Sequence, residues 1–149
     1  MAAATLASDV LAGSALADQS CIACVGKGGD LEALSPEVVE KLLGQLCKSW
    51  AVEDGNRAIV KRFTAKNFVE AMKAIQGFGE VAEAAGHHPD LSVSSYREVT
   101  VRLTTSGLGG LLSINDFVVA AKIDRVPVTY SPKWEKDHPE VTSGKAGAE

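Results

Sequence analysis

The stretch from Tyr96 to Thr105 alternates between apolar and polar side chains, as a strand with one buried face does. The alternating side chains are Val99, Val101 and Leu103 on one side and Glu98, Thr100 and Arg102 on the other. Because consecutive side chains of a strand point to opposite faces, the pattern predicts an antiparallel strand that is buried on one face only. Another layer must cover that apolar face, which limits the chain to a few architectures.

Three further stretches complete the predicted sheet. They are Trp50 to Glu53, Ala58 to Thr64 and Leu91 to Ser94. The segment Asp54-Gly55-Asn56 is predicted to join the first two as a hairpin, since Asp, Asn and Gly are the residues that tight turns favour.

Three helices are predicted from capping residues and apolar spacing. The first begins at Ser35-Pro36, the second at Thr64 or Asn67, and the third at Ser113. The resulting order is helix, strand, strand, helix, strand, strand, helix. It predicts an α+β fold, with a single antiparallel four-stranded sheet and about three helices packed on one face.

The second helix is expected to bury an apolar side and to end at Gly86. That side consists of Phe68, Val69, Met72, Ile75, Phe78, Val81, Ala82 and Ala85. Gly77 and Gly79 interrupt this helix, and each costs about 1 kcal/mol relative to alanine. Their presence indicates close packing against a sheet or a partner.

The chain divides into three parts by composition. Residues 1–33 form a leader rich in Ala, Ser and Gly, which is expected to be mostly disordered unless the chain is a processed form. Residues 34–126 form the predicted domain, and residues 127–149 a polar tail that is expected to fray from Ser131 onward. The leader lacks the basic start of a secretory signal and the arginines of a transit peptide.

Charge and hydropathy exclude two classes of partner. The net charge is −4 and positive residues are not concentrated, so direct nucleic-acid binding is not expected. No apolar run reaches the roughly 18 residues that a membrane span needs.

Three cysteines raise the question of metal or redox chemistry. Cys21 and Cys24 form one C-x-x-C motif and Cys47 stands alone, with no second pair to complete a zinc site. We interpret them as ordinary thiols, with a labile or regulatory disulfide as the alternative.

Two adjacent histidines, His87 and His88, follow the second helix and precede Pro89. Histidine is the side chain best suited to proton transfer near neutral pH, so the pair suggests an acid/base device. Glu83 lies one turn before His87, on the same predicted helix face, where a carboxylate can orient an imidazole. Alternatively, the histidines cap the helix and bind its last carbonyl groups.

Several motifs together resemble those of the pterin-4a-carbinolamine dehydratases over about residues 34–126. They are E-x-x-x-H-H-P-D-L, an aromatic seven residues after the proline, a T-T strand end, G-G-L and N-D-F-x-x-A-x-K-I-D, with Trp50, Arg62-Phe63, Phe68 and Val81-Ala-Glu83 upstream. The C-x-x-C leader and the stretch from Asn115 to Asp124 look most like the plant and algal branch.

The resemblance implies a small protomer that forms a homodimer or homotetramer and needs neither metal nor organic cofactor. The implied reaction is dehydration of a 4a-hydroxytetrahydropterin, such as 4a-hydroxytetrahydrobiopterin, to the quinonoid dihydropterin. His88 is then the acid/base residue and His87 helps to hold the pterin. Glu83 and Asp116 orient or stabilise the imidazoles, and Pro89 and Ser106 complete the site.

The chain departs from the family pattern at two places. Ser106 stands where a third histidine is usual and Gly107 where an acidic residue is common. A serine hydroxyl does not titrate near pH 7 and cannot replace an imidazole as a base. The spacing from G-G-L to Asp116 is one residue longer than usual, and His138 in the tail is a candidate for the missing base.

Two functions follow from these residues. The first is the dehydratase, which the paired histidines favour. The second, which Ser106 and Gly107 favour, is a weakened relative that binds a protein client. The resemblance offers two precedents for it, a transcription factor dimer in animals and Rubisco assembly in a plastid branch. A plastid or mitochondrial location is favoured over the cytoplasm.

Overall fold

The computed structural model describes residues 15–19, 21 and 31–142, and the alternating stretch forms an inner strand of an antiparallel sheet. The sheet consists of β1 (Trp50–Glu53), β2 (Ala58–Thr64), β3 (Asp90–Ser94) and β4 (Glu98–Leu103). The strands lie in the order β1-β2-β4-β3, and each neighbouring pair is antiparallel. The predicted single four-stranded sheet is confirmed.

Three helices of eight or more residues and two short ones accompany the sheet in the described part of the chain. They are α1 (Pro36–Leu43), α2 (Phe68–Ala85), α3 (Ile114–Asp124), α4 (Pro132–Asp137) and α5 (Pro139–Thr142). Asn67 caps α2, since its side-chain oxygen accepts the N–H of Glu70 at 2.9 Å. The α+β class is confirmed.

The core lies between the sheet and the two long helices, α2 and α3. The apolar face of β4 is fully buried, and Phe63 of β2 meets Phe78 of α2 edge to face with ring centroids 6.1 Å apart. Phe117 of α3 is fully buried in the same cluster. Aromatic pairs of this geometry add about 0.5–1.5 kcal/mol beyond the apolar area they bury.

The buried side of α2 differs from the predicted one at the start of the helix. Ala71, Ala74, Phe78 and Ala82 face the core, whereas Phe68, Val69 and Met72 are exposed by 52, 58 and 44%. Small alanines lie against the sheet because they let the helix approach it closely. The first two turns therefore present large apolar side chains to solvent in the protomer.

Strand β4 begins two residues later than the alternation predicts. Ser95 and Tyr96 both adopt positive φ, at 46° and 57°, as the two central residues of a tight hairpin turn do. Tyr96 therefore belongs to the turn, and it is largely exposed.

Both flanking segments are more ordered than predicted where the structure describes them. Leu16 lies in a 3₁₀ turn (Leu16–Asp18) and is buried, with Lys122 of α3 donating to the carbonyl of Ala17 at 3.0 Å. The expectation of a disordered leader is wrong for this turn, and Cys24 lies outside the described residues.

The tail is helical where fraying was expected. Ser131 caps α4, Tyr130 stacks on Trp134 with ring centroids 5.0 Å apart, and Val141 of α5 is buried. The predicted frayed tail is therefore wrong as far as Thr142, because a few apolar side chains anchor it to the domain.

Among the described residues, none of the helices is both long enough and apolar enough to cross a membrane.

Candidate active site

The histidine pair lies at the point where α2 ends and the chain turns towards β3. Gly86 closes the helix in the left-handed conformation, with φ of 74°, and its N–H bonds to the carbonyl of Ala82 at 2.9 Å. Glycine favours this conformation because it has no Cβ. The change of direction sends the next two side chains, His87 and His88, into different environments.

His87 turns inward and pairs with Asp116. Its Nε2 atom lies 2.6 Å from Oδ1 of Asp116, and the two side chains are 6% and 0% exposed. With Asp116 ionised, its carboxylate only accepts, so Nε2 of His87 carries the proton of this bond. The bond fixes both the tautomer and the orientation of the ring.

Asp116 is held by two further donors. Its Oδ2 atom accepts the hydroxyl of Thr105 at 2.8 Å and the backbone N–H of Ser113 at 2.9 Å. The second bond is the one that the acidic residue of a capping box makes at a helix start. Ser113 Oγ lies 2.6 Å from Thr105 Oγ1, whose proton is already donated to Asp116, so the serine hydroxyl is the donor there.

His88 faces solvent and pairs with Glu83. Its Nε2 atom lies 3.1 Å from Oε2 of Glu83, and the side chains are 62% and 79% exposed. Glu83, which is predicted to orient an imidazole from the helix face of His87, contacts the imidazole of His88 instead, because Gly86 takes His87 off that face. The exposed pair leaves His88 accessible to a ligand in solution.

The two remaining predicted residues flank this corner. Pro89 is half-buried between the histidines and β3, and Ser106 is exposed at the start of a 3₁₀ turn (Ser106–Leu108). Ser106 directly follows Thr105, which bonds to Asp116. The position that usually carries a third histidine is therefore one residue along the chain from the carboxylate that holds His87.

Comparison with known protein families shows which family has this sequence pattern. The model of the pterin 4 alpha carbinolamine dehydratase family matches residues 32–126. The chain belongs to this family. The match spans all four strands of the sheet and both histidines.

Relatives from bacteria and plants agree with this family. The "Putative pterin-4-alpha-carbinolamine dehydratase" of Legionella pneumophila (strain Corby) is 40% identical over 115 residues, or 77% of this chain and 97% of the relative. "Pterin-4-alpha-carbinolamine dehydratase 2, mitochondrial" of Arabidopsis thaliana is 31% identical over 115 residues, or 76% of this chain and 59% of that protein. The crystal structure of a transcriptional coactivator/pterin dehydratase from Brucella melitensis superposes with a TM-score of 0.58 at 26% identity, covering 64% of this chain and 98% of that one.

Two residues that hold Asp116 beside His87 were missed as site residues in the sequence. Thr105 appeared only as part of the T-T strand end, and Ser113 only as a helix cap. The signal that links them to His87 is their common partner Asp116, which becomes visible only when β4 and α3 are placed side by side.

His138, the candidate for a substitute base, lies elsewhere. Its ring stacks on Trp134 with centroids 4.2 Å apart, and its Nδ1 atom bonds to the carbonyl of Trp134 at 2.9 Å. The structure thus uses His138 to extend an aromatic stack.

A second polar cluster lies at the other end of α3. Asp124 accepts the ammonium of Lys61 and the indole N–H of Trp50 on Oδ1, and the backbone N–H of Cys47 on Oδ2, each at 2.8 Å. Burial of Lys61 disfavours its charge, but the neighbouring acidic groups, Asp124 foremost, together outweigh that effect and raise the pKa of Lys61 above its ordinary value. Burial likewise raises the pKa of Tyr130 nearby.

Proposed function

We propose that this protein is a 4a-hydroxytetrahydrobiopterin dehydratase, which removes water from a 4a-hydroxytetrahydropterin to give the quinonoid dihydropterin. The observation that carries the proposal is the contrast between consecutive histidines. One imidazole is buried and fixed by Asp116, and the next is exposed beside Glu83. A fixed ring positions a planar substrate, whereas an exposed ring exchanges protons with the substrate and with water.

His88 performs the proton transfers in this proposal. As an imidazolium it donates a proton to the 4a-hydroxyl group, the C4a–O bond breaks and water leaves. The neutral imidazole then accepts the proton of N5, whose N–H electron pair forms the C4a=N5 double bond. His88 returns to its starting state, and the reaction consumes no oxidant, reductant or metal ion.

Asp116 and Thr105 act indirectly in this proposal. Their hydrogen bonds hold His87 in one tautomer at the edge of the substrate site, so they are positioning residues. The Ser113 hydroxyl contacts Thr105 alone and supports the start of α3. Glu83 restrains His88 from the solvent side. Pro89 limits the backbone between His88 and β3, since proline fixes its own φ.

The decisive experiment follows dehydration of a 4a-hydroxytetrahydropterin in wild-type protein, His88→Ala and Ser106→His. We expect activity in the wild type and a loss of about 10²- to 10⁴-fold in His88→Ala, with unchanged circular dichroism. Ser106→His restores a third imidazole and should raise the rate. Full activity in a folded His88→Ala variant would overturn the mechanism.

A protein-binding role is the second candidate, and the exposed serine at position 106 favours it. The Brucella melitensis relative is described as a transcriptional coactivator as well as a pterin dehydratase. An inactive wild type that Ser106→His converts into an active enzyme would support this role, because the site would then be intact but chemically incomplete.

We further propose that the protein forms a homodimer or homotetramer through the start of α2. Phe68, Val69 and Met72 expose large apolar surfaces there, and such patches mark interfaces more often than free surfaces. Val69→Lys should dissociate the assembly in light scattering, whereas Lys73→Ala on the same helix should not. A monomeric wild type would exclude this assembly.

We propose an organelle location, because the mitochondrial protein of Arabidopsis is a relative of this chain. A fluorescent fusion at the C-terminus tests this location. A signal confined to the cytoplasm would contradict it, and plastid and mitochondrial markers distinguish the two organelles.

A further inference from the structure

A cavity of about 670 Å³ lies at the opposite end of α3 from the histidine pair. Asp124 lines it, whereas Asp116 holds His87, and the separation of eight positions between them corresponds to about 12 Å of helix. The volume falls within the range of about 300–1,000 Å³ that is typical of small-molecule sites. The cavity is therefore separate from the proposed active site and large enough for a ligand.

Two segments outside the family match form part of its wall. Ala17 comes from the N-terminal turn, and Val128, Tyr130 and Val141 come from the C-terminal segment, whereas the family model covers residues 32–126. The Brucella melitensis structure matches only 64% of this chain while 98% of its own length is covered. The cavity thus depends on segments that lie outside the part of the chain that the family model matches.

The inner wall carries a buried ammonium group. Lys61 is 2% exposed, and among the described residues Asp124 is the one acceptor of its three protons. Asp124 also accepts hydrogen bonds from the indole N–H of Trp50 and the backbone N–H of Cys47. Its carboxylate charge is therefore distributed over three donors and is not directed at Lys61 alone. Lys61 therefore retains donor capacity towards the cavity.

The rest of the lining is apolar within and charged at the rim. Leu46, Val128 and Val141 are buried around the space. Three cationic side chains line the cavity: Lys61 is paired with Asp124, Arg125 is paired with Asp18 outside the lining, and Lys48 is exposed at the rim. This combination fits a ligand with an apolar body and one negative charge.

We propose that this cavity binds a small organic anion with an apolar body, whose acidic group lies against the ammonium of Lys61. The proposal does not depend on the dehydratase activity, because the cavity shares no residue with the histidine corner. Binding is driven by burial of the apolar body and directed by a charge-assisted hydrogen bond.

The test uses 4-phenylbutyrate as the probe and 4-phenylbutanol as its neutral counterpart. The indole N–H of Trp50, which bonds to Asp124 at 2.8 Å, gives a ¹⁵N NMR signal that reports on the cavity wall. We expect the carboxylate to shift this signal saturably and to bind about tenfold or more tightly than the alcohol. No saturable shift, or equal affinity for acid and alcohol, would overturn the proposal.

Variants of the full chain locate the binding. Lys48→Glu should weaken binding about three- to tenfold, whereas Lys66→Glu, the same charge change at an exposed residue away from the cavity, should not. Ala17→Trp should fill the cavity and reduce binding of the probe. Ala17→Ser, a small side chain at the same position, is the control and should leave binding unchanged. Unchanged affinity in both Lys48→Glu and Ala17→Trp would place the probe elsewhere and refute the site.

Discussion

His87 and Asp116 are joined by a 2.6 Å hydrogen bond between two buried side chains, 29 residues apart in the chain. The same carboxylate accepts the N–H of Ser113 and so starts α3. One residue therefore links the start of a helix to the orientation of an imidazole, and a change at position 116 affects both.

The first prediction concerns Asp116→Asn. An amide offers one oxygen where the carboxylate offers two, so it cannot accept from His87 on one side and from Thr105 and Ser113 on the other. We expect kcat for pterin dehydration to fall by about tenfold to a hundredfold, with a stability loss of about 1–3 kcal/mol.

Ser113→Ala is the matched control for that variant. It removes the hydroxyl that donates to Thr105 but keeps the Asp116 carboxylate, so it should lower stability by about 1 kcal/mol and leave kcat within about threefold. Equal losses of kcat in the two variants would mean that Asp116 acts through stability alone.

The second prediction concerns Glu83→Gln. Because both Glu83 and His88 are exposed, their ion pair is worth at most about 1 kcal/mol. The rate should therefore change by about fivefold or less, far less than in His88→Ala. Glu80→Gln, one turn earlier on α2, should have no effect. A hundredfold loss in Glu83→Gln would show that the carboxylate takes part in proton transfer.

The third prediction separates the two glycines of α2. A Cβ atom on Gly77 would lie 2.6 Å from Cγ1 of Val126, whereas a Cβ on Gly79 would have no neighbour within 4 Å. Gly77→Ala should destabilise the protein by about 1–3 kcal/mol, and Gly79→Ala should stabilise it by about 0.5–1 kcal/mol through helix propensity.

Urea unfolding measures both changes. Combining Gly77→Ala with Val126→Ala should recover part of the loss, since the double variant removes the methyl group that clashes. A stabilising Gly77→Ala would show that α2 and the segment after α3 separate at no cost, in conflict with the close approach of Gly77 to Val126.

The sequence predicts the fold well because most of its signals are local. The alternation in β4, the Asp54-Gly55-Asn56 turn and the caps at Ser35 and Asn67 each depend on neighbouring residues. The buried side of α2 was misjudged because large apolar residues were assumed to face inward, whereas the sheet lies against alanines. Periodicity alone does not say which apolar stripe meets the core.

The site was predicted less completely than the fold. The histidines were recognised from their motif, but Gly86 reverses the chain after α2, and only the structure shows that His87 meets Asp116 while His88 meets Glu83. The docking of the described flanking segments depends on a few apolar side chains, such as Leu16 and Val141. Predictions from the average composition of a segment miss single buried side chains of this kind.

The contribution of the buried Lys61–Asp124 pair to stability can be measured from the free energy of unfolding at alkaline pH. Burial opposes the charge of Lys61, but the neighbouring acidic groups, Asp124 foremost, together raise the pKa of Lys61 above its ordinary value in the folded state. A raised pKa contributes stability that is complete below the ordinary value and is lost as pH rises through the folded value. The pKa of Tyr130 is also raised, by burial, so its contribution has the same sign.

The free energy of unfolding should therefore fall above about pH 10. Replacing the pair by apolar residues, in Lys61→Met/Asp124→Leu, should make this fall shallower. At pH 7, the gain of about 1–4 kcal/mol that removal of a buried ion pair can give is offset, because the N–H groups of Trp50 and Cys47 lose their acceptor at about 1–3 kcal/mol each. Tyr130→Phe removes the tyrosine contribution alone, so the two variants separate the contributions of Lys61 and Tyr130 to the pH dependence.

Asp124→Asn by itself should cost about 3–5 kcal/mol at pH 7, because Lys61 then stays buried without its counter-charge. Parallel pH profiles for the wild type and the double variant would mean that the ion pair does not stabilise the folded state, and that the Trp50 and Cys47 hydrogen bonds alone account for the burial of Asp124.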